Sequence, residues 1–244
     1  MKRHLTGLQT GGMFSATDIA AQLFDALFPR RCGFCGTPGP VVCNGCFNDL
    51  PHNNPACRRC AKPLAIDGVC GACQQSAPPF ACVVAPMRYA YPVDAAIRAF
   101  KYRHQEIRLP SLLHLMRQGL RDLPTDVDAV VAMPMHWRRR VQRGFNQAAL
   151  LAAPIAQELG VPLLDAVAKT RHTPPQSTLA GPARRRNLAD AFRCVDALSI
   201  RHVLIVDDVY TTGQSAAHLT RVLRKAGVEQ VSLLVIARAS QARL

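Results

Sequence analysis

Beyond residue 80 the sequence alternates short apolar runs with segments of helical period. Runs of Val, Ile and Leu without polar alternation are typical of parallel strands that are buried on both faces. On this basis strands are predicted at 82–88, 129–133, 163–167, 202–206 and 230–236. Apolar residues recurring every three or four positions predict helices at 93–102, 109–123, 147–159, 183–191 and 213–226. The alternation predicts an α/β domain with helices packed on a parallel sheet.

The chain before residue 80 follows a different pattern. Ser15 and Asp18 resemble a helix-capping box, after which apolar positions 19, 20, 23, 24, 27 and 28 form one helical stripe. This short stripe is predicted to pack on the body of the protein rather than on a membrane. The stretch from about 31 to 75 contains few large aliphatic residues and is followed by a Pro-containing linker. We therefore expect an N-terminal segment at 1–30 with a short amphipathic helix, a small module at 31–76 and the α/β domain at 80–244.

Eight of the ten cysteines occur as CxxC pairs in the first third of the chain. The pairs are Cys32/Cys35, Cys43/Cys46, Cys57/Cys60 and Cys70/Cys73. A CxxC turn presents two thiolates on one side of a loop, so two turns supply the four ligands of a tetrahedral zinc ion. Four pairs predict two structural Zn²⁺ ions, which would hold together a segment too poor in apolar residues to fold alone. Sequential pairing of the motifs is the simplest arrangement; crossed pairing, redox motifs and disulfides are the alternatives.

The charge balance is strongly basic. Lys and Arg number 30 against 16 Asp and Glu, which gives a formal net charge of +14. Eight thiolates (−8) and two Zn²⁺ (+4) change this value by −4, to +10, so the protein remains attractive to polyanions. No run of about 18 uncharged apolar residues exists, which excludes a membrane-spanning helix. Reduced zinc-binding thiolates indicate the cytoplasm.

Most of the functional signal lies in residues 203–213, which read VLIVDDVYTTG. Ligands bind where the strands of an open α/β sheet end, and the N–H groups at a helix N-terminus attract an anion. We expect Asp207 and Asp208 to accept hydrogen bonds from two ribose hydroxyls, and the Thr-Thr-Gly turn to bind a phosphate. The combination predicts a ribose 5-phosphate site. The alternative is that the aspartates are solvated strand-end charges and the Thr-Gly pair begins an ordinary helix.

These residues resemble the phosphoribosyl-diphosphate motif of type I phosphoribosyltransferases, and the chain from roughly 17 to 238 is similar to the ComF family of competence-associated proteins. The matching pieces are Leu27-Phe28-Pro29, the four CxxC pairs, Phe100-Lys101-Tyr102, RGFNQ at 143–147, Gln176 with Leu179, Arg185 with Asn187, Ala191-Phe192 and DDVYTTG. Two departures are Ala61, where a glycine often follows the CxxC, and Trp137, where a small residue or proline is usual. The resemblance implies a type I phosphoribosyltransferase-like parallel sheet with helices on both faces, preceded by a double zinc ribbon.

The resemblance also implies roles within the site. Asp207 and Asp208 would be the catalytic carboxylates in the displacement of Mg²⁺-pyrophosphate from phosphoribosyl diphosphate. The implied substrate-binding residues are Val209, Tyr210, Thr211, Thr212 and Gly213 of the motif, Met135 and His136 of the pyrophosphate loop, Arg143, and Gln176 and Arg185 of a flexible lid. Lys101, at the edge of an apolar helix face, is a further candidate for substrate contact. For the neighbouring arginines at 138–140, the alternative is a solvated or acid-binding face.

Two classes of function are consistent with these features. The first is an enzyme that transfers phosphoribosyl to an acceptor that the sequence does not identify, linked by the family to competence and DNA uptake. The second is a non-catalytic zinc-ribbon protein that binds single-stranded DNA or RNA, although aromatic residues make up only 6%, few for base stacking. A third hypothesis is that the fold binds phosphoribosyl diphosphate or a related nucleotide as an effector. The family further implies DNA-uptake proteins as partners.

Overall fold

The computed structural model describes residues 30–102, 105–135, 141, 144–165, 167–169, 192–194 and 198–240. The strands in this part are β1 (Val83–Val84), β2 (Met87–Arg88), β3 (Ala129–Ala132), β4 (Leu163–Leu164), β5 (Val167–Lys169), β6 (Phe192–Cys194), β7 (His202–Tyr210) and β8 (Gln230–Arg238). The main sheet is parallel and has the order β1-β8-β7-β3-β4, with β2 also paired with β8. β5 and β6 form a separate antiparallel pair.

Among the described residues, four helices lie between these strands as the alternating pattern predicts, and two shorter ones precede them in the cysteine-rich segment. They are α1 (Asn44–Asp49), α2 (Gly71–Gln75), α3 (Val93–Tyr102), α4 (Leu109–Arg117), α5 (Gln147–Leu159) and α6 (Gln214–Lys225), with 3-10 turns at Glu106–Arg108 and Leu120–Asp122. The predicted bounds of α3 and α5 are confirmed. The predicted helix at 109–123 is wrong in its second half, because α4 ends at Arg117. Gly119 follows, where a Cβ would press on the side chains of Val84 and Leu234.

Both faces of the sheet are covered. Leu204 and Val206 of β7 pack into one apolar cluster with residues of α3, α4 and α5. Val203 and Ile205 point to the opposite face and pack with residues of α6. All four side chains are fully buried. The predicted α/β fold with helices on both faces of a parallel sheet is therefore confirmed.

β7 is longer than its apolar run. It continues through Asp207 and Asp208 to Tyr210, because its pairing with β8 extends as far as the register pair Tyr210 and Arg238. Asp208 and Tyr210 are buried while Asp207 is only partly buried, so the strand alternates within the motif. The prediction that the strand ends before the two carboxylates is wrong. The predicted strands at 82–88 and 163–167 are each divided into two short strands.

The cysteine-rich segment packs directly on the α/β domain. The hydroxyl of Ser111 on α4 donates to the Val41 carbonyl at 2.8 Å, and Arg108 donates to the Gly33 carbonyl at 2.8 Å. Farther along, the buried amide of Asn53 donates to the carbonyls of Ala61 and Ala85 at 2.9 and 3.1 Å. These bonds hold both halves of the segment against the sheet and its helices.

Ala61 has a φ of 54°, in the left-handed region that glycine occupies at no steric cost. The backbone conformation therefore gives a physical reason for the glycine that is usual at this position. The predicted N-terminal helix and the helix at 183–191 lie outside the described residues. Within the described part of the chain, no helix is long and apolar enough to cross a membrane.

Candidate functional site

A cavity of about 340 Å³ opens at the carboxyl ends of β3 and β7. Asp207 and Asp208 line it from β7, Met135 lines it from the segment after β3, and Lys101 reaches it from α3. The carboxyl ends of parallel strands meet at one edge of a sheet, where ligands of α/β folds bind. With Val209 and Thr211, six of the site residues predicted from the sequence are thus brought together around one opening.

Asp208 is held by an ion pair. Its Oδ1 lies 2.7 Å from Lys101 Nζ, and its side chain is 9% exposed. Burial lowers the pKa of Lys101, but the charge and hydrogen bond of Asp208, with Asp207 and Tyr89, outweigh burial and raise the pKa overall. The lysine is therefore charged at neutral pH and neutralises the inner carboxylate of the pair.

Asp207 has different surroundings. Its Oδ1 accepts the backbone N–H of Asp208 at 2.9 Å, and its side chain is partly exposed. It borders both the main cavity and a second cavity of about 80 Å³ at the adjoining turn. Adjacent carboxylates thus divide between a buried ion pair and a position between the two cavities.

The turn after β7 borders the second cavity with hydroxyl side chains and the start of a helix. Gly213 has a φ of 74° and forms the N-terminal cap of α6, and a Cβ at this position would overlap the Tyr210 hydroxyl. Thr211, Thr212 and Ser215 line the 80 Å³ cavity in front of the helix. Hydroxyl donors, turn N–H groups and a twelve-residue helix all favour negative charge there.

The Tyr210 ring packs between Phe80 and Arg238. The ring lies edge to face with Phe80 at 6.1 Å between centroids, and the Arg238 guanidinium lies 4.7 Å from its centroid. Burial raises the pKa of the phenol to about 12 against the opposing effect of Arg238. The hydroxyl therefore remains protonated and can donate a hydrogen bond. Val209, the residue before it, is partly buried and lines the main cavity.

Other residues at the site carried no individual signal in the sequence. Asn146 caps α5 by accepting the Ala148 N–H at 3.2 Å, and its amide donates to the Met133 carbonyl at 3.2 Å. It therefore ties the end of β3 to the start of α5. Asn146 appeared in the sequence only within a family string, and Arg238 lies beyond the end of the strand predicted at 230–236. The predicted residues His136, Arg143, Gln176 and Arg185 lie outside the described residues.

The CxxC pairs form two groups of four thiols. The groups are Cys32, Cys35, Cys43 and Cys46, and Cys57, Cys60, Cys70 and Cys73, with all sulfurs of a group within 4.8 Å of one another. The grouping is the sequential one, and all eight of these cysteines have free thiols. Tetrahedral thiolate sites of this composition are typical of structural zinc.

Backbone N–H groups support the sulfurs of both clusters. The N–H of Cys43 donates to Cys32 Sγ at 3.4 Å, and that of Cys70 donates to Cys57 Sγ at 3.3 Å. Burial raises the pKa of Cys32 and Cys57, but N–H donors outweigh it and lower both values to about 6. Each cluster therefore stabilises a thiolate, the form that binds zinc.

Comparison with known proteins matches both parts of the chain. The double zinc ribbon domain matches residues 23–74, and the phosphoribosyl transferase domain matches residues 146–244. The DNA utilization protein YhgH of Escherichia coli strain K12 is 33% identical over 224 residues, which cover 86% of this chain and 97% of that protein. Competence protein F of Haemophilus influenzae is 31% identical over 211 residues, which cover 81% and 90% of the two chains. The chain belongs to the ComF family.

As a ComF family member, the chain combines a double zinc ribbon containing two four-cysteine clusters with a phosphoribosyltransferase-type domain. Among solved structures, orotate phosphoribosyltransferase from Aeropyrum pernix matches with a TM-score of 0.36 and 24% identity, covering 56% of this chain and 63% of that chain. The parallel sheet and the matched domain, rather than this likeness, identify the fold.

Proposed function

We propose that this ComF family member binds Mg²⁺-bound phosphoribosyl diphosphate in the 340 Å³ cavity and transfers its phosphoribosyl group to an acceptor. The observation that supports this function is the position of Asp207 and Asp208 beside the cavity, directly before a turn suited to a phosphate. The carboxylates match the hydroxyl side of a ribose 5-phosphate, and the turn matches its phosphate.

In the proposed reaction the bond from C1 to the pyrophosphate oxygen breaks, and both electrons leave with that oxygen. An electron pair of the acceptor forms the new bond to C1, and the acceptor releases a proton to solvent. Asp207 and Asp208 hold the ribose, and Asp207 places negative charge near the positive charge that develops on the ring. Thr211, Thr212 and Gly213 hold the 5-phosphate and so fix C1 in front of the acceptor.

The remaining predicted residues serve the other end of the substrate. Met135 and His136 would contact the pyrophosphate through their loop, and Arg143 would pair with its negative charge. Gln176 and Arg185 would belong to a lid that excludes water from the reactive ribosyl cation. Lys101 would affect ligand binding indirectly, through its ion pair with Asp208.

The cavity also fits the metal that accompanies this substrate. Carboxylate oxygens are the ligands that Mg²⁺ prefers, and Asp207 and Asp208 are the residues that would hold it, directly or through water. When bound, Mg²⁺ supplies positive charge that stabilises the departing pyrophosphate.

Thermal unfolding of the zinc-loaded full chain tests the proposed ligand. Mg²⁺ would be present throughout, with and without phosphoribosyl diphosphate, for the wild type and the variant Asp207→Asn/Asp208→Asn. Ligand at 100 times its Kd stabilises a protein by about 2.7 kcal/mol, so the wild-type transition should rise visibly. The amide variant keeps the shape but loses both charges and should show no rise. A wild type without a rise would contradict the proposal.

Turnover needs a separate measurement. Release of pyrophosphate from phosphoribosyl diphosphate in the presence of candidate acceptors, such as nucleobases and amines, should require both aspartates. If phosphoribosyl diphosphate binds but none of the acceptors causes pyrophosphate release, the result would instead support the effector hypothesis.

Binding of single-stranded nucleic acid is a second candidate function, supported by a groove of about 510 Å³ beside the first ribbon. Tyr91 and Tyr102 line it and are 82% and 65% exposed, and Arg98 and Arg108 flank them. Exposed aromatic rings beside arginines are the elements of a base-stacking surface, which the low aromatic content of the sequence disfavoured. The relatives named for competence and DNA utilization agree with this function and make DNA-uptake proteins the proposed partners. The thiolates of the zinc ribbon favour a reducing compartment, the cytoplasm, for either function.

Fluorescence anisotropy with labelled oligothymidine separates the two candidates. Nucleic-acid binding at the groove predicts weaker binding in Tyr91→Ala/Tyr102→Ala, full binding in Asp207→Asn/Asp208→Asn, and weaker binding as salt is raised. If Tyr91→Ala/Tyr102→Ala binds the oligonucleotide as tightly as Asp207→Asn/Asp208→Asn does, the groove is excluded as the binding site.

A further inference from the structure

Arg238 ends β8 with its side chain turned into the protein, where the residue is 8% exposed. Its Nη1 donates to the carbonyl oxygens of Tyr210 at 3.1 Å and Thr211 at 2.6 Å, and also to that of Ala239. Its Nε donates to the carbonyl oxygen of Cys60 at 3.1 Å. A guanidinium donates in a rigid planar fork, so these contacts fix the relative positions of three separate stretches of backbone.

The two turn carbonyls determine where the neighbouring N–H groups point. Both peptide bonds are trans, and in a trans peptide the C=O of one residue and the N–H of the next point in opposite directions. With the carbonyls of Tyr210 and Thr211 directed at Arg238, the N–H groups of Thr211 and Thr212 point away from it. These N–H groups belong to the turn that borders the 80 Å³ cavity in front of α6. The Tyr210 carbonyl also accepts the Ala239 N–H at 2.9 Å, so Arg238 shares the first anchor and adds the second, at the Thr211 carbonyl. Together these bonds hold the donors of the turn in one orientation.

The same guanidinium reaches the second zinc ribbon. Cys60, whose carbonyl accepts its Nε, belongs to the cluster of Cys57, Cys60, Cys70 and Cys73. The first cluster meets the α/β domain elsewhere, through bonds from Arg108 and Ser111 at α4. Among the described residues, Arg238 therefore links the turn by hydrogen bonds to the segment of the second cluster and not to that of the first.

We propose that Arg238 is a positioning residue that couples the second zinc ribbon, the segment Cys57–Cys73, to the phosphate turn, residues 211–213 between β7 and α6. An intact second cluster holds the Cys60 carbonyl, the carbonyl anchors the guanidinium, and the guanidinium orders the turn. Loss of the second cluster loosens the turn, whereas loss of the first cluster leaves it ordered. Arg238 touches no ligand in this scheme and acts through Tyr210 and Thr211. The consequence for ligand affinity rests on the proposed function, but the coupling itself does not.

Hydrogen exchange followed by mass spectrometry tests the coupling without any ligand. The readout is amide exchange in peptides covering residues 209–215 of the zinc-loaded full chain. Arg238→Met should speed exchange there by roughly tenfold or more, because the carbonyl anchors are lost. Arg238→Lys should lie between wild type and Arg238→Met, since lysine donates hydrogen bonds but has no planar fork. A residue needed only for bulk packing would not show this partial rescue.

Matched controls are available for both ends of the link. Arg88 lies opposite Arg238 in the sheet register, is exposed, and donates to the His52 carbonyl at 3.0 Å, so Arg88→Met removes a comparable bond without touching the turn. Cys35 and Cys60 are the second cysteines of the first CxxC in their clusters. Cys60→Ser should speed exchange at 209–215, while Cys35→Ser should leave it at the wild-type rate.

Unchanged exchange at 209–215 in Arg238→Lys and Cys60→Ser would overturn the coupling, as would equal acceleration by Cys60→Ser and Cys35→Ser. These two arms decide the question even if Arg238→Met does not fold. The ligand arm uses phosphoribosyl diphosphate with Mg²⁺, whose Kd should rise at least about tenfold in Arg238→Lys relative to Arg88→Met. Failure of the wild type to bind would contradict the proposed function and leave the exchange result standing.

Discussion

Lys101 Nζ lies 2.7 Å from Asp208 Oδ1 and so joins α3 to the charged part of β7 at the wall of the cavity. The lysine is held in its charged form, because the two carboxylates and Tyr89 raise its pKa against the effect of burial. A ribose hydroxyl that bonds to Asp208 must therefore share this carboxylate with Lys101 or displace the ammonium. The sequence identified both residues as site candidates but carried no signal that they pair.

Lys101→Met should lower the free energy of unfolding by about 1–3 kcal/mol. The change leaves the Asp208 carboxylate buried without its cation, which is the costly way to break such a pair. Arg98→Met is the matched control on the same helix, since Arg98 pairs with Asp94 at 2.9 Å while its side chain is 57% exposed. An exposed pair of this kind contributes less than about 1 kcal/mol. Urea unfolding of the zinc-loaded variants measures both, and equal losses would contradict a buried pair.

The same pair predicts a dependence on alkaline pH. A lysine whose pKa is higher in the folded than in the unfolded chain contributes stability that is complete below its unfolded pKa, about 10.4. This contribution is lost as the pH rises through the folded pKa. The difference in stability between wild type and Lys101→Met should therefore be constant from pH 7 to 9 and shrink above about pH 10. A difference that grows with pH would mean that the pKa is shifted in the other direction.

Gly213→Ala should destabilise the protein more than Gly160→Ala. Both glycines have positive φ, 74° and 68°, so alanine pays a backbone cost of about 1–2 kcal/mol at either position. At Gly160 a Cβ meets open space, whereas at Gly213 it overlaps the Tyr210 ring and hydroxyl. The overlap should add about 1–3 kcal/mol. Chemical unfolding of the two variants gives the difference, and equal costs would place the Tyr210 ring away from the turn.

The two clusters predict two zinc ions per chain. Elemental analysis of protein purified without chelators should give a ratio near two, falling to near one in both Cys35→Ser and Cys60→Ser. A single substitution removes one site under sequential or crossed pairing alike, so the ratio confirms the number of sites but not the grouping. Native mass spectrometry of double variants distinguishes these cases. Cys35→Ser/Cys46→Ser, within one cluster, should retain one ion, and Cys35→Ser/Cys60→Ser, across clusters, should retain neither.

Local pattern was sufficient where one physical requirement dominates. The helical period of α5 predicts its bounds correctly, and the uninterrupted apolar centre of β7 correctly indicates a strand covered on both faces. Thiolate spacing was equally informative, because four CxxC turns have few uses other than metal binding.

The ends of some elements and the role of Arg238 depend on tertiary contacts, which the hydrophobic pattern of the sequence does not show. Two carboxylates normally end a strand, yet β7 continues to Tyr210 because β8 pairs with it to the end and Lys101 neutralises Asp208. The helix after Leu109 ends at Arg117, and two residues later Gly119 packs so closely on Val84 and Leu234 that no Cβ would fit. Arg238 carried no signal in the sequence, since its partners are mostly carbonyl oxygens, and every residue type supplies those.

The contact between Arg238 and Cys60 spans 178 positions of the chain, while the four thiols of the second cluster lie within Cys57–Cys73. Contacts so distant in sequence form late, because the closure entropy of the intervening chain is paid first. During synthesis the second ribbon can therefore acquire its metal long before β8 leaves the ribosome. The turn after β7 then gains its contacts with Arg238 only when the last strand enters the sheet, against a ribbon that is already rigid. A chain truncated before β8 would retain the eight CxxC cysteines and both aspartates but lose the guanidinium that contacts the turn.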